Sequence, residues 1–151
     1  MDKNRSKEVI NRLFVNVFND ILYLEENFMN KRLVERVTIN EVHVMEAIEL
    51  SEKKSMGSVA KRLMVTEGTL TTSINRLVKK EYIERNRDEK DKRVFLLSLT
   101  EKGKNVMSVH GDFHDLMVDF VNDDPSIDEN LIDSLVSLQK FFSRLKETYK
   151  K

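Results

Sequence analysis

Near residue 83 the hydrophobic period of this sequence changes from that of helices to that of strands, and by residue 100 it has changed back. The segments Ile83–Arg87 and Arg93–Leu99 read as two strands around the polar turn Asp88–Lys92. A lone hairpin cannot bury a core of its own, so this one has to be an appendage on a helical body. Ahead of it, Thr38 followed by Glu41 is a capping box that opens a short helix through Val42, Met45 and Ile48. Ser55 and Thr66 can cap two more short helices. The first would turn Met56, Val59, Ala60 and Leu63 inward, the second Leu70, Ile74 and Leu77.

Long helices flank this centre. Ile10, Phe14, Val17, Ile21, Leu24 and Phe28 recur at spacings of three and four, and Leu13, Phe18 and Leu22 widen the stripe. A stripe that broad suggests contact with more than one neighbour. Thr100 begins a helix carried by Val106, Val109, Phe113, Met117 and Phe120, which Pro125 ends. Ser126 with Glu129 forms a second capping box, opening a last helix along Ile127, Leu131, Leu135, Leu138, Phe142 and Leu145. The expected fold is mainly α with a small β-hairpin wing: a winged helix-turn-helix over 38–103, set between long N- and C-terminal helices in a single domain spanning 1–151.

Composition supports this reading. Of 151 residues, 40% are apolar and 34% charged, with four Gly and one Pro, the mixture of a helix-rich globular chain. No apolar run approaches a membrane span, and the opening MDKNRSKEVI lacks the apolar stretch of a signal peptide, so no membrane partner and a cytoplasmic location are expected. Absence of cysteine excludes disulfides and thiolate-ligated zinc. No Gly-rich phosphate loop and no hydrolase motif is present, so an enzyme is not expected. A pure protein-interaction module would leave the polar face described next without a purpose.

Net charge is zero, but residues 61–104 carry twelve basic and seven acidic groups. A local excess of this kind is enough to attract nucleic acid. Winding 68–79 as a helix places Thr72, Asn75, Arg76 and Lys79 opposite the apolar face, with Thr69 and Thr71 flanking. Asn and Arg can pair with base edges, Thr methyls can meet thymine methyls, and hydroxyls and Lys can hold phosphate. Gly68 allows close approach of the backbone where free helix amides attract a phosphate. In the turn, Lys90, Lys92 and Arg93 form a candidate wing tip, with Arg93 held out by a neighbouring Asp toward a narrow minor groove.

The stretch from Leu63 to Lys80, then Tyr82-Ile83-Glu84-Arg85, Asp91-Lys92-Arg93 and Leu97–Gly103, resembles the MarR family of bacterial regulators. Within it the chain is most similar to the FabT-type repressors of fatty-acid biosynthesis genes, through Leu-Met-Val-Thr, Thr-Thr-Ser and the later Val109–His114. The resemblance implies a homodimer in which residues 1–37 and 104–151 form the dimerisation helices. It also implies double-stranded DNA with a pseudo-palindromic operator as the partner. Thr72, Asn75 and Arg76 would be groove contacts and Arg93 the wing arginine. Two positions depart from the family pattern. Glu81 stands where a Gly usually ends the reading helix in a left-handed turn, and Lys92 replaces a frequent Arg.

Two effector sites remain open at this point, and no cofactor is required. His110 and His114 share a helix face, and with His43 and Glu25 they make a possible zinc set. The chain resembles zinc-responsive MarR repressors at the three histidines but has Val42 where those proteins have a ligand glutamate. A hydrogen-bonded His–Glu cluster is the alternative. Phe14, Val17, Phe18, Ile21, Met45, Val106, Met107, Phe113 and Met117 are either filled core or a pocket. By resemblance the pocket's ligand would be a long acyl chain delivered on acyl carrier protein, an acidic partner that Arg5, Lys7, Arg12, Lys31 and Arg32 would receive.

Overall fold

The three short helices announced by Thr38, Ser55 and Thr66 begin where those caps place them in the structure, a computed structural model that describes residues 3–149. Residues 1, 2, 150 and 151, the outer ends of the expected frame, lie outside the described residues. The chain forms two compact units, 1–113 and 114–151.

In the first unit, α1 (Lys3–Arg12) passes through a π-helical turn, Leu13–Val17, into α2 (Phe18–Arg32). The sequence stripe predicted an uninterrupted α-helix here, and the wider turn changes its phase at Phe14 and Val17. Asn30 ties the end of α2 to the following loop: its Oδ1 accepts from the Val37 amide at 2.9 Å and its Nδ2 donates to the Val37 carbonyl at 3.1 Å. Both halves of the expected capping box then form. The Glu41 amide donates to Thr38 Oγ1 (3.3 Å) and the Thr38 amide to Glu41 Oε2 (2.9 Å), opening α3 (Ile39–Glu49). Ser55 caps α4 (Met56–Leu63) and Thr66 caps α5 (Glu67–Lys79).

Over the three short helices the core is the one the helical spacings predict. Val42, Met45, Ile48, Val59, Leu70, Ile74 and Leu77 are all buried, joined by Ile83, Leu97 and Val106. Each such side chain contributes about 1.5–3 kcal/mol on leaving water. β1 (Ile83–Arg87) and β2 (Phe95–Leu99) pair antiparallel, from Ile83 opposite Leu99 to Arg87 opposite Phe95. The second strand begins two residues later than Arg93, because Asp91 turns the chain first. The Val94 amide donates to the Asp91 carbonyl and the Asp88 amide to the Val94 carbonyl, both at 2.9 Å. A third segment joins the hairpin root: the Leu97 amide donates to the Lys54 carbonyl at 2.8 Å, and Ser55 bridges Leu96.

Two helices end on left-handed residues that are not glycine. Met64 follows α4 with φ 57° and Glu81 follows α5 with φ 62°. In each case the next amide reaches back, Val65 to the Ala60 carbonyl (3.0 Å) and Tyr82 to the Leu77 carbonyl (2.9 Å). The strain that the sequence suggests at Glu81 is therefore present. Glu81→Gly is expected to stabilise the protein by about 1 kcal/mol and raise Tm by about 3 °C in a thermal melt. A lower Tm for the glycine variant would contradict this account.

The second unit holds the C-terminal part of α6 (Glu101–Asp123) and α7 (Glu129–Tyr149). The predicted capping box at Ser126 and Glu129 does not form. Asp128 takes its place, with Oδ1 accepting from the Leu131 amide at 3.0 Å, while Ser126 binds Asp124 instead. A carboxylate beside free helix amides outcompetes a hydroxyl, and Ile127 is left ahead of the helix. No residue of α7 is buried in the single chain, and Leu135 and Phe141 are about half exposed, at 54% and 46%.

Candidate nucleic-acid interface

The buried positions Leu70, Ile74 and Leu77 fix the rotation of α5, and so decide which side chains face water. Thr69, Thr71, Thr72, Asn75, Arg76 and Lys79 are all exposed on it, and Gly68 sits in its first turn. Gly68 has no neighbour closer than 3.8 Å to where a Cβ would stand, so that turn is open. Thr69 and Thr71 are engaged locally, Thr69 Oγ1 with Thr66 Oγ1 (2.9 Å) and Thr71 Oγ1 with the Glu67 carbonyl (2.7 Å). Their methyl groups, and the lone pairs these bonds leave free, are what they can offer to a ligand.

The C-terminal end of α5 is anchored firmly. Lys80 Nζ lies 2.8 Å from Oε1 of buried Glu41 and donates to its Oε2 at 2.9 Å. Lys102 Nζ donates to the Lys80 carbonyl and to Glu35, both at 2.9 Å. Arg62 at the end of α4 donates to the Leu50 carbonyl at 2.6 Å. These cations were not singled out from the sequence, where they look like ordinary surface charge.

In the turn, Asp88 Oδ1 accepts from the amides of Lys90 (2.7 Å) and Asp91 (2.9 Å), which shapes the tip. Those two amides hold the Asp88 carboxyl below its ordinary value. Arg93 donates through Nε to Asp91 Oδ1 (3.1 Å) and through Nη2 to Oδ2 (3.3 Å), with its side chain 90% exposed. Lys90 and Lys92 are exposed beside it. Arg87 braces the turn from β1, donating to the Lys92 carbonyl at 3.1 Å. Arg85, which sequence reasoning passed over, donates from Nη2 to Asn75 Oδ1 on the reading helix.

Of the candidate metal set, Glu25, His43 and His110 come together, their ligand atoms within 4.8 Å of one another. His114 lies in the second unit and is exposed. Buried His110 donates from Nε2 to Glu25 Oε1 at 2.6 Å, and His43 Nε2 stands 3.6 Å from the same oxygen. Burial pushes the Glu25 carboxyl up, but the hydrogen bond from His110 and the nearby His43 imidazole outweigh it and hold it at about 2. The Glu25 carboxylate raises His43 against the opposing effect of burial, with Glu46 adding to the rise. Tetrahedral zinc takes four ligand atoms roughly 3.3 Å apart, whereas three donors converge here and two of them, His110 Nε2 and Glu25 Oε1, are hydrogen-bonded to one another at 2.6 Å.

These shifts set a pH window. A lowered carboxylate contributes stability above its ordinary value near 4.5, lost as pH falls toward 2. A raised imidazole contributes below its ordinary 6.5, lost as pH rises through the raised value. Glu25→Gln is therefore expected to lower Tm most between about pH 5 and 6.5 and to match the parent only below about pH 2. Equal losses at every pH in scanning calorimetry would rule out the ion pairing.

The candidate pocket residues divide by position. Met45, Val106 and Phe113 are buried and Met107 half-buried, with the Phe113 ring 5.4 Å from that of Phe28. Phe14, Val17, Phe18 and Ile21 are 40–60% exposed in the single chain, and Met117 is half-buried in the second unit. Arg5, Lys7, Arg12, Lys31 and Arg32 are all exposed, Arg32 stacking 3.5 Å above the Phe28 ring.

An exposed polar helix face above a buried apolar one, preceded by a capped short helix and followed by a braced hairpin, defines a winged helix-turn-helix DNA-binding regulator. Residues 28–109 match the pattern of the transcriptional regulators SarA/Rot, and the chain belongs to that family. It is 35% identical over 92 residues to the HTH-type transcriptional regulator SarZ of Staphylococcus epidermidis, a match covering 61% of this chain and 62% of the relative. The match thus spans less than two thirds of the length of that curated relative. Streptococcus pneumoniae FabT in complex with DNA shares the fold at a TM-score of 0.83, with 34% identity over 95% of this chain and 99% of that one. Staphylococcus aureus MarR, solved with salicylate and kanamycin, shares the fold at a TM-score of 0.78 and 17% identity, over 98% of this chain and 96% of that one. The relatives are transcriptional regulators, not enzymes. Among the described residues no helix is long and apolar enough to cross a membrane.

Proposed function

We propose that the protein is a cytoplasmic, dimeric repressor that places α5 in the major groove and the 88–93 turn in the minor groove of a pseudo-palindromic operator. The observation that carries this is the exposure of Thr72, Asn75, Arg76 and Lys79 directly over the buried Leu70–Ile74–Leu77 face. The apolar residues left exposed on α1, α2 and α7 support pairing with a second copy. The regulated genes would be those of fatty-acid biosynthesis and the signal a long acyl chain on acyl carrier protein. That finer reading rests on the FabT relative.

Operator binding in a gel shift tests the whole. Arg76→Ala is expected to cost about 1–3 kcal/mol and relax base preference, and Lys79→Ala to weaken binding uniformly. Arg93→Ala is expected to weaken sites with A·T-rich flanks most. Each buried methylene is worth about 0.8 kcal/mol, so long-chain acyl carrier protein should shift affinity several-fold and short-chain forms barely. A flat response to chain length would remove the acyl signal.

The convergence of Glu25, His43 and His110 favours a second reading, a zinc-responsive repressor. Zinc would then shift operator affinity in the same titration, and His110→Ala would abolish the shift.

A further inference from the structure

We infer that Arg85 is a specificity-determining residue, which orients the Asn75 amide and thereby decides what kind of base edge the reading helix accepts. The inference rests on the DNA-reading role of α5. Arg85 alternates along β1 with buried Ile83, so strand period places both on the hairpin face that packs toward α5. From there its Nη2 donates to Oδ1 of Asn75, one turn beyond Thr71 and Thr72. A guanidinium has five donors and no acceptor, so the Asn75 atom facing it is the carbonyl oxygen. The amide NH2 is therefore the end left to meet a ligand.

This matters because an asparagine reads adenine with both ends, accepting from N6 and donating to N7. Oδ1 keeps a second lone pair, but its bond to Arg85 fixes the plane of the amide, so the two ends cannot turn freely to match adenine while both NH2 donors stay available. Asn75 then favours bases that present acceptors in the major groove, guanine O6 and N7 or thymine O4, over the paired contact to adenine. The neighbours of Arg85 on the strand do other work. Asn86 bonds Ser98 across the hairpin at 3.2 Å, and Arg87 holds the turn through the Lys92 carbonyl.

The test is selection of bound duplexes from a randomised library by the full-length protein, with Arg85→Met, Arg85→Lys, Asn75→Ala and the double variant Arg85→Met/Asn75→Ala. Arg85→Met is expected to raise preference for adenine about tenfold at one position per half-site. Arg85→Lys retains a donor and is expected to keep the parent preference at that position. In the Asn75→Ala background, Arg85→Met should leave base preference unaltered. An Arg85→Met protein that binds all sequences more weakly by one factor would make Arg85 a phosphate contact and overturn the inference. So would a preference change that persists without Asn75. If Arg85→Met fails to fold by circular dichroism, Arg85→Gln, which retains an amide donor, takes the place of Arg85→Lys and Arg85→Leu that of Arg85→Met. If Asn75→Ala itself leaves preference unaltered, the reading role of this face fails first, and the inference with it.

Discussion

Gly103→Ala is expected to lower Tm by about 10–15 °C, the largest effect of a methyl group added at any of the four glycines. A Cβ at this position would stand 2.1 Å from the Tyr82 carbonyl oxygen, 3.2 Å from its carbon and 3.3 Å from Leu99 Cβ. The oxygen cannot easily yield. It already accepts from the Thr100 amide at 3.1 Å and from Thr100 Oγ1 at 3.2 Å, the bonds that set the start of α6 against the end of α5. Overpacking costs about 1–3 kcal/mol and each bond lost about 1 kcal/mol more, a large share of ordinary stability. Calorimetry reads the result directly, and a fall under about 3 °C would mean the helix moves aside at little cost.

The second large effect concerns assembly rather than folding. Leu135→Asp is expected to give a monomer in analytical ultracentrifugation and to weaken operator binding by about a hundredfold or more. Leu135 is 54% exposed in the single chain, so a charge there does not break the core. It would instead stand in the apolar surface through which the proposed dimer forms. Losing the second reading head removes the effective-concentration gain that holds two half-sites at once. A variant that remains dimeric, or a monomer that binds the operator as tightly as the parent, would place the interface elsewhere.

Much of this was legible in the sequence because it depends on local chemistry. Thr38, Ser55 and Thr66 are caps whose partners lie three residues on, and the α5 stripe fixes its own rotation. Even the left-handed Glu81 could be read, since helix termination is local. Ser126 was misread because Asp128, two residues later, offers a charge to the same amides and a propensity rule does not rank competitors. The Arg85–Asn75 pair and the Lys80–Glu41 pair were missed for a different reason. Their partners are separated by 10 and 39 residues, and only the packed strand and helices bring them within reach. Strand alternation from Ile83 was the one signal that could have pointed Arg85 toward the reading helix.

The bond from the Leu97 amide to the Lys54 carbonyl has a mechanical meaning for the hairpin. Ser55 caps α4 and also bridges Leu96, so the first helix of the reading head and the root of the wing are clamped to one another. The hairpin is then a lever with a fixed fulcrum, whose tip from Asp88 to Arg93 is held by side-chain and turn bonds alone. Opening free energy should fall steeply along that lever from root to tip. In the proposed complex, such a tip would let go of one groove and find it again while the reading helix stays seated. Residence time would then be set by the helix, and the wing would govern how often a departure that has begun is reversed.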